Sequence, residues 1–147
     1  MKPPTFAFYA NSATGLSVLP SISSDHRRTL LLATIPAPGG GGDSGLTWAE
    51  GTLWVGQYRN RKIHQVNPQT GAVLRTIESN RFVTGVTWTD GELWHGTWEG
   101  EESDLRRVDP RTGEVLERLE MPPGVGISGL ESDGGDQFFC GGGRSGR

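Results

Sequence analysis

An all-β fold of repeated four-stranded antiparallel units is predicted by three features of this 147-residue sequence. The first is an internal repeat: Gly45–Gly56 (GLTWAEGTLWVG) matches Gly85–Gly96 (GVTWTDGELWHG) at seven of twelve positions. Val66–Leu74 (VNPQTGAVL) likewise matches Val108–Leu116 (VDPRTGEVL) at six of nine. The second is the composition, with 23 Gly and 9 Pro, which suits many tight turns and opposes long helices. The third is the apolar content, low at 33% but concentrated in five Trp and five Phe, which bury much area per residue.

The two offsets, 40 and 42, place a two-residue insertion in the loop between the matched blocks. In the second full unit the strands fall on Gly85–Trp88, Glu92–Trp98, Asp104–Val108 and Glu114–Glu120. Asp90-Gly91 supplies a hairpin turn, because Gly tolerates positive φ. Asp109-Pro110-Arg111-Thr112-Gly113 supplies a type I turn closed by a left-handed Gly, and Asn67-Pro68-Gln69-Thr70-Gly71 repeats the device. Four short strands per roughly 40 residues is the period of a β-propeller blade.

A third copy opens at Gly129 and keeps an aromatic pair, Phe138 and Phe139. Upstream, Leu31–Gly45 parallels Val73–Gly85 as the tail of a preceding unit, so Thr29–Ile35 reads as a last strand. The N-terminal segment, residues 1–28, has room for two more strands at Thr5–Ala10 and Leu16–Leu19. Residues 29–147 form the repeat region, with full units at 45–78 and 85–120, a half unit at 129–142 and a glycine-rich tail. About three blades fall short of the roughly 4–8 of a closed propeller, so an incomplete ring is expected, completed by further chain or by copies forming a homo-oligomer.

Alternation places Leu53 with Val55, and Leu93 with His95, on one face of the second strand. Trp54 with Gly56, and Trp94 with Gly96, take the other. Trp48, Trp54, Trp88 and Trp94 are expected between blades, with an indole lying over a glycine of an adjoining strand.

A net charge of −3 gives no electrostatic case for nucleic acid. No run approaches the ~20 apolar residues of a membrane span, and the N-terminus lacks a signal-peptide-like apolar run. Cys140 is the only cysteine, so no intrachain disulfide or thiolate cluster is expected. The expectation is a soluble cytoplasmic protein without membrane or nucleic-acid partners.

Propeller ligands bind where the loop entering the inner strand meets the loop between second and third strands, so function is expected where the units differ. The loop Gln57-Tyr58-Arg59-Asn60-Arg61-Lys62 is basic and its counterpart Thr97-Trp98-Glu99-Gly100-Glu101-Glu102-Ser103 is acidic. They read either as salt-bridged neighbours or as a polar rim for a zwitterionic ligand. His95 stands where the first unit has Val55 and the third Cys140. It reads either as a general base or as a buried imidazole bonded to a backbone carbonyl. His64 reads as surface, and His26 falls in the N-terminal segment. Gly39–Gly42 with Asp43 and Ser44 precedes a strand, not a helix, so it is a connection and no phosphate loop. Asp43 and Glu131 fall near inner strands, without a partner to make a carboxylate pair. No ligand spacing supports a metal, and no cofactor is expected.

Phe82-Val83-Thr84-Gly85-Val86-Thr87-Trp88, followed by Gly91-Glu92-Leu93-Trp94-His95-Gly96-Thr97-Trp98-Glu99, resembles the plant and bacterial type of glutamine cyclotransferase. That family has a Phe-Gly-Glu-Gly stretch leading to a Thr-Trp pair, and its blades share the Asn/Asp-Pro-x-Thr-Gly turn. The resemblance covers about Gly45–Gly142. It implies a propeller that converts N-terminal glutamine to pyroglutamate with release of ammonia. Its partner would be a small molecule or peptide N-terminus. On this reading Trp98, Thr97, Gln57 and Tyr58 bind substrate, and His95 or Glu99 supplies acid–base help. The sequence departs from the family where Val83-Thr84 replaces Gly-Glu and where Val55-Gly56 replaces a glutamate. Enzyme or not therefore stays open, between cyclotransferase, a non-catalytic ligand-binding or scaffold propeller, and a streptogramin-lyase-like or lactonase-like propeller.

Overall fold

The computed structural model describes residues 6–11, 15–20 and 33–142. They form thirteen strands in four antiparallel meanders, and the only helical element among them is a short 3-10 turn, Pro38–Gly40. β1 (Phe6–Asn11), β2 (Gly15–Pro20) and β3 (Ala33–Ile35) make a three-stranded sheet. The first full blade is β4 (Asp43–Ala49), β5 (Thr52–Gln57), β6 (Lys62–Val66) and β7 (Val73–Glu78). The second is β8 (Phe82–Thr89), β9 (Glu92–Glu99), β10 (Glu102–Val108) and β11 (Val115–Glu120). β12 (Ile127–Ser132) and β13 (Phe138–Gly142) form a two-stranded sheet. His26 and the tail beyond Gly142 lie outside the described residues.

The turns carry the chemistry their sequences call for. Asn67 Oδ1 accepts from the Gln69 and Thr70 amides at 2.9 and 3.1 Å, and Asp109 Oδ1 accepts from those of Arg111 and Thr112 at 2.7 and 3.3 Å. Asp90 and Gly91 both have positive φ, 50° and 78°, which matches the twist of the flanking strands.

The first strands β4, β8 and β12 touch one another and converge, while each later strand lies further out. Glycine permits that approach. A Cβ on Gly45 would lie 2.6 Å from the Val86 amide nitrogen, and one on Gly85 2.7 Å from that of Leu130. Both obstacles are backbone and cannot rotate away. Gly85→Ala is therefore expected to wedge β8 from β12 and cost about 1–3 kcal/mol, read from a urea melt against Gly129→Ala, where a Cβ would meet nothing within 4 Å.

Trp54 and Trp94 are buried, and each packs on an aromatic of the next sheet. Trp54 stacks on Trp88 with centroids 6.3 Å apart, and Trp94 meets Phe138 at 4.8 Å. Phe139 is the register equivalent of these two Trp, but it is 60% exposed because among the described residues no further sheet covers its face. Trp48, the repeat equivalent of Trp88, is 49% exposed. One expectation needs correction. No indole fills the space over Gly56 and Gly96. Val83 and Val86 occupy the first, and Thr84 with Ile127 the second, because the next inner strand lies too close for a ring.

Candidate functional site

Each innermost strand carries one residue too many. The register skips between Asp43 and Gly45, between Val83 and Gly85, and between Ile127 and Gly129. Ser44, Thr84 and Ser128 are thus bulged residues at equivalent places, each a hydroxyl-bearing residue immediately before the unit's opening glycine. A bulge breaks the strict alternation and re-aims its side chain. These three hydroxyl residues line one cavity of about 270 Å³, together with Tyr58 and Trp98. Tyr58 and Trp98 are themselves repeat equivalents, each two residues beyond the glycine that ends the match on the second strand. Two somewhat larger clefts lie elsewhere, one beside Trp88 and Arg111 and one beside Arg81 and Met121. Neither gathers equivalent residues from successive units.

The cavity walls are held from behind. The Tyr58 ring stacks on Phe82 with centroids 4.6 Å apart and planes 19° from parallel. Trp98 lies against Gly126, where a Cβ would come within 3.1 Å of the indole, and its Nε1 donates to the Gly100 carbonyl at 2.9 Å. Ser44 Oγ donates to the Val83 carbonyl at 2.6 Å and Ser128 Oγ to that of Gly141 at 3.1 Å. Thr84 is 3% exposed, and its Oγ1 is buried without a hydrogen-bond partner.

Of the sequence-derived candidates, Trp98 and Tyr58 come together here; His95, Thr97, Glu99 and Gln57 do not. Strand alternation sends His95 and Thr97 to the face of β9 opposite Trp98. His95 is 1% exposed and donates through Nδ1 to the Gly96 carbonyl at 3.3 Å. Burial is the main cause that lowers its pKa to about 4; the Gly96 bond opposes the shift, and Arg106 adds to it. The imidazole is neutral near pH 7, and a base of that strength accepts protons poorly there. The Thr97 hydroxyl donates to Asp104 Oδ1. Glu99 Oε1 pairs with Arg61 Nη2 at 2.8 Å, joining the acidic loop to the basic one, and the Arg61 guanidinium lies 4.6 Å from the Phe82 centroid.

Gln57 is buried and acts as a clamp. Its Nε2 donates to the carbonyls of Pro38 and Gly41, and its Oε1 accepts from Asn60 Nδ2 and from His64 Nε2, each at 3.0 Å. His64 is buried, not on the surface. With Nε2 donating to Gln57, its Nδ1 accepts from the Thr76 hydroxyl at 2.9 Å, and burial lowers its pKa, with Lys62 reinforcing the shift. Asp43 leans on the same amide, and burial raises its pKa. Glu131 accepts from the Thr87 hydroxyl at 2.9 Å; neither carboxylate lines the cavity.

The equivalent place in the second blade is ionic. Asp104, 1% exposed, accepts Arg106 Nε at 2.8 Å and Nη2 at 3.2 Å, and Arg81 Nη1 lies 3.3 Å from its Oδ2. Burial alone would raise its pKa, but the bonds from Arg106 and Thr97 outweigh it and hold the carboxyl below its ordinary value. Arg106, 2% exposed, reaches Asn80 Oδ1 with Nη1 at 2.6 Å. Among the described residues no three His, Cys, Asp or Glu side chains converge to hold a metal ion.

Solved structures share this architecture. Glutaminyl cyclase from Myxococcus xanthus matches with a TM-score of 0.67 at 14% identity, over 95% of this chain and 63% of that one. The WD40 β-propeller domain of Doa1 matches with a TM-score of 0.67 at 17% identity, over 93% of this chain and 43% of that one. Hydrazine synthase from Kuenenia stuttgartiensis matches at 0.63 and 10% identity, over 85% of this chain and 35% of that one. This chain thus spans less than two thirds of each, and at these identities the likeness establishes a propeller-type fold of blades in an open arrangement. No curated protein sequence matches the chain. Residues 22–144 match a family described as a repeat of unknown function (DUF6923), and by that match the chain belongs to this family of repeats.

Proposed function

We propose that this chain is a ligand-binding propeller-type module that holds a small molecule or peptide end in the cavity between Tyr58 and Trp98. The observation that carries the reading is the character of that lining: two aromatic and three hydroxyl-bearing residues, with no Asp, Glu, His or Lys among them. Concave sites with aromatic walls and a few placed polar groups are built for recognition. The groups suited to proton transfer are engaged elsewhere, His95 in the blade interior and Glu99 with Arg61.

The test is a titration of a small-fragment library followed on the Trp98 indole N–H signal in NMR. Fragments that shift that signal, and lose affinity in Trp98→Ala, are expected. A Trp98 signal indifferent to the whole library would sink the reading.

Cyclisation of N-terminal glutamine is the second reading. It is favoured by the position of Trp98 in the cavity and by the backbone likeness to a glutaminyl cyclase. A glutamine-initiated peptide separates the two: the binding reading expects no ammonia release, and turnover abolished by Trp98→Ala would replace it with the catalytic one.

A further inference from the structure

The two aromatic walls of the cavity come from different blades, and one residue outside it touches the support of both. Arg61 closes the β5–β6 hairpin, its amide donating to the Tyr58 carbonyl at 3.3 Å and its carbonyl accepting from the Ser79 amide at 2.8 Å. Its guanidinium lies 4.6 Å from the centroid of Phe82, the ring on which Tyr58 stacks. Nη1 donates to the Asn80 carbonyl at 3.1 Å, and Nη2 reaches Oε1 of Glu99, the residue after Trp98, at 2.8 Å. Arg61 does this from an unfavourable backbone: its φ is 55°, in the left-handed region that suits glycine. The β9–β10 hairpin meets the same demand with Gly100, at φ 61°. Glu50 and Asp90 also have positive φ, but each opens a two-residue turn completed by glycine, where both central residues need it. A strained arginine where glycine would serve points to a use for its side chain.

On the premise that the cavity is the binding site proposed above, we infer that Arg61 is a positioning residue that fixes the separation of Tyr58 and Trp98. It holds Phe82 behind Tyr58 by a cation–π contact and ties that stack to the Trp98 strand through Glu99. The ion pair alone, half-exposed, is worth little. The guanidinium on Phe82 supplies the geometry, since a planar fork lies on a ring and bonds sideways at once. Replacing Arg61 by a residue suited to the left-handed region relieves the hairpin backbone, so the fold stays while the two walls lose their tie.

The experiment compares the full chain with Arg61→Gly and Arg61→Asn, both residues that accept a left-handed backbone. Urea unfolding reads the fold, and the Trp98 indole N–H and Tyr58 ring signals in NMR read the walls. The library fragment that shifts Trp98 most in the parent reads binding. Both variants are expected to keep the parent's unfolding midpoint and to broaden or double the Trp98 and Tyr58 signals in the free protein. They should also weaken that fragment about tenfold. Unchanged Trp98 and Tyr58 signals in both variants overturn the inference. So does a midpoint that falls in both, for Arg61 would then be holding the fold and not the walls. If the walls loosen in the variants but no fragment shifts Trp98 in the parent, Arg61 keeps its positioning role and the binding reading fails. If fragments bind parent and variants alike, the binding site stands and the positioning role fails.

Discussion

Asp104→Ala is expected to destabilise the protein by about 3–5 kcal/mol, because it strands a buried guanidinium. Arg106 is 2% exposed and would keep only Asn80 as a hydrogen-bond acceptor. Arg81 and Arg118, which also approach the Asp104 carboxylate, at 3.3 and 3.4 Å, would then face Arg106 without the anion that separates them. The cost comes from leaving one charge unpaired and does not measure the pair's net worth. Accordingly, Asp104→Ala combined with Arg106→Met should be milder than Asp104→Ala alone, since the double change removes the buried charge as well as its partner. Urea unfolding of the three proteins checks this. A single variant within about 1 kcal/mol of the parent, or a double variant as damaged as the single, would refute the stranded-charge explanation.

The second large effect is in acid. His95 carries a pKa of about 4 in the fold against 6.5 when unperturbed, so between those values the unfolded chain binds a proton that the folded one refuses. Stability must therefore fall as pH drops below about 6.5, and this contribution levels off below about 4, with a total loss on the order of 3 kcal/mol. The Asp104 carboxyl, held low, adds its own loss at still lower pH, where it too must be protonated. Val55 occupies the His95 position in the first blade, which makes His95→Val the natural variant. Its unfolding midpoint should decline less steeply than the parent's between pH 6.5 and 4.5, the remaining slope coming in part from His64, whose pKa burial also lowers. Parallel profiles would mean that His95 is not buried in neutral form. The same variant also bears on catalysis, because an imidazole sealed between blades should be dispensable for any activity at the cavity.

Much of the fold was legible in the sequence because it is governed locally. The period of about 40, the Asp-Gly and Asn/Asp-Pro-x-Thr-Gly turns and the inward faces of β5 and β9 all follow from turn chemistry and strict alternation. Tyr58 and Trp98 entered through the family resemblance, although they also stand at one repeat position two residues beyond the matched strands. The hydroxyl set was not. Ser44 read as the end of a glycine-rich connection, and Thr84 as the place of a missing acid. The sign available was a small hydroxyl residue before each unit's opening glycine, Ser44-Gly45, Thr84-Gly85 and Ser128-Gly129. Reading it requires knowing that β8 begins at Phe82, three residues before the motif, and that Thr84 is an inserted residue.

The sequence by itself determined the blade, since a two-residue period and turn residues with fixed φ act within a few residues of chain. Only the tertiary structure decided which side chains meet. A one-residue bulge reverses the facing of whatever precedes it, and the approach of a neighbouring inner strand decides whether a glycine is filled by an indole or by valine. The repeat that announced a propeller-type fold thus also carries its candidate site. Ser44, Thr84 and Ser128 line one cavity because each blade makes the same local irregularity and packing brings the inner strands together.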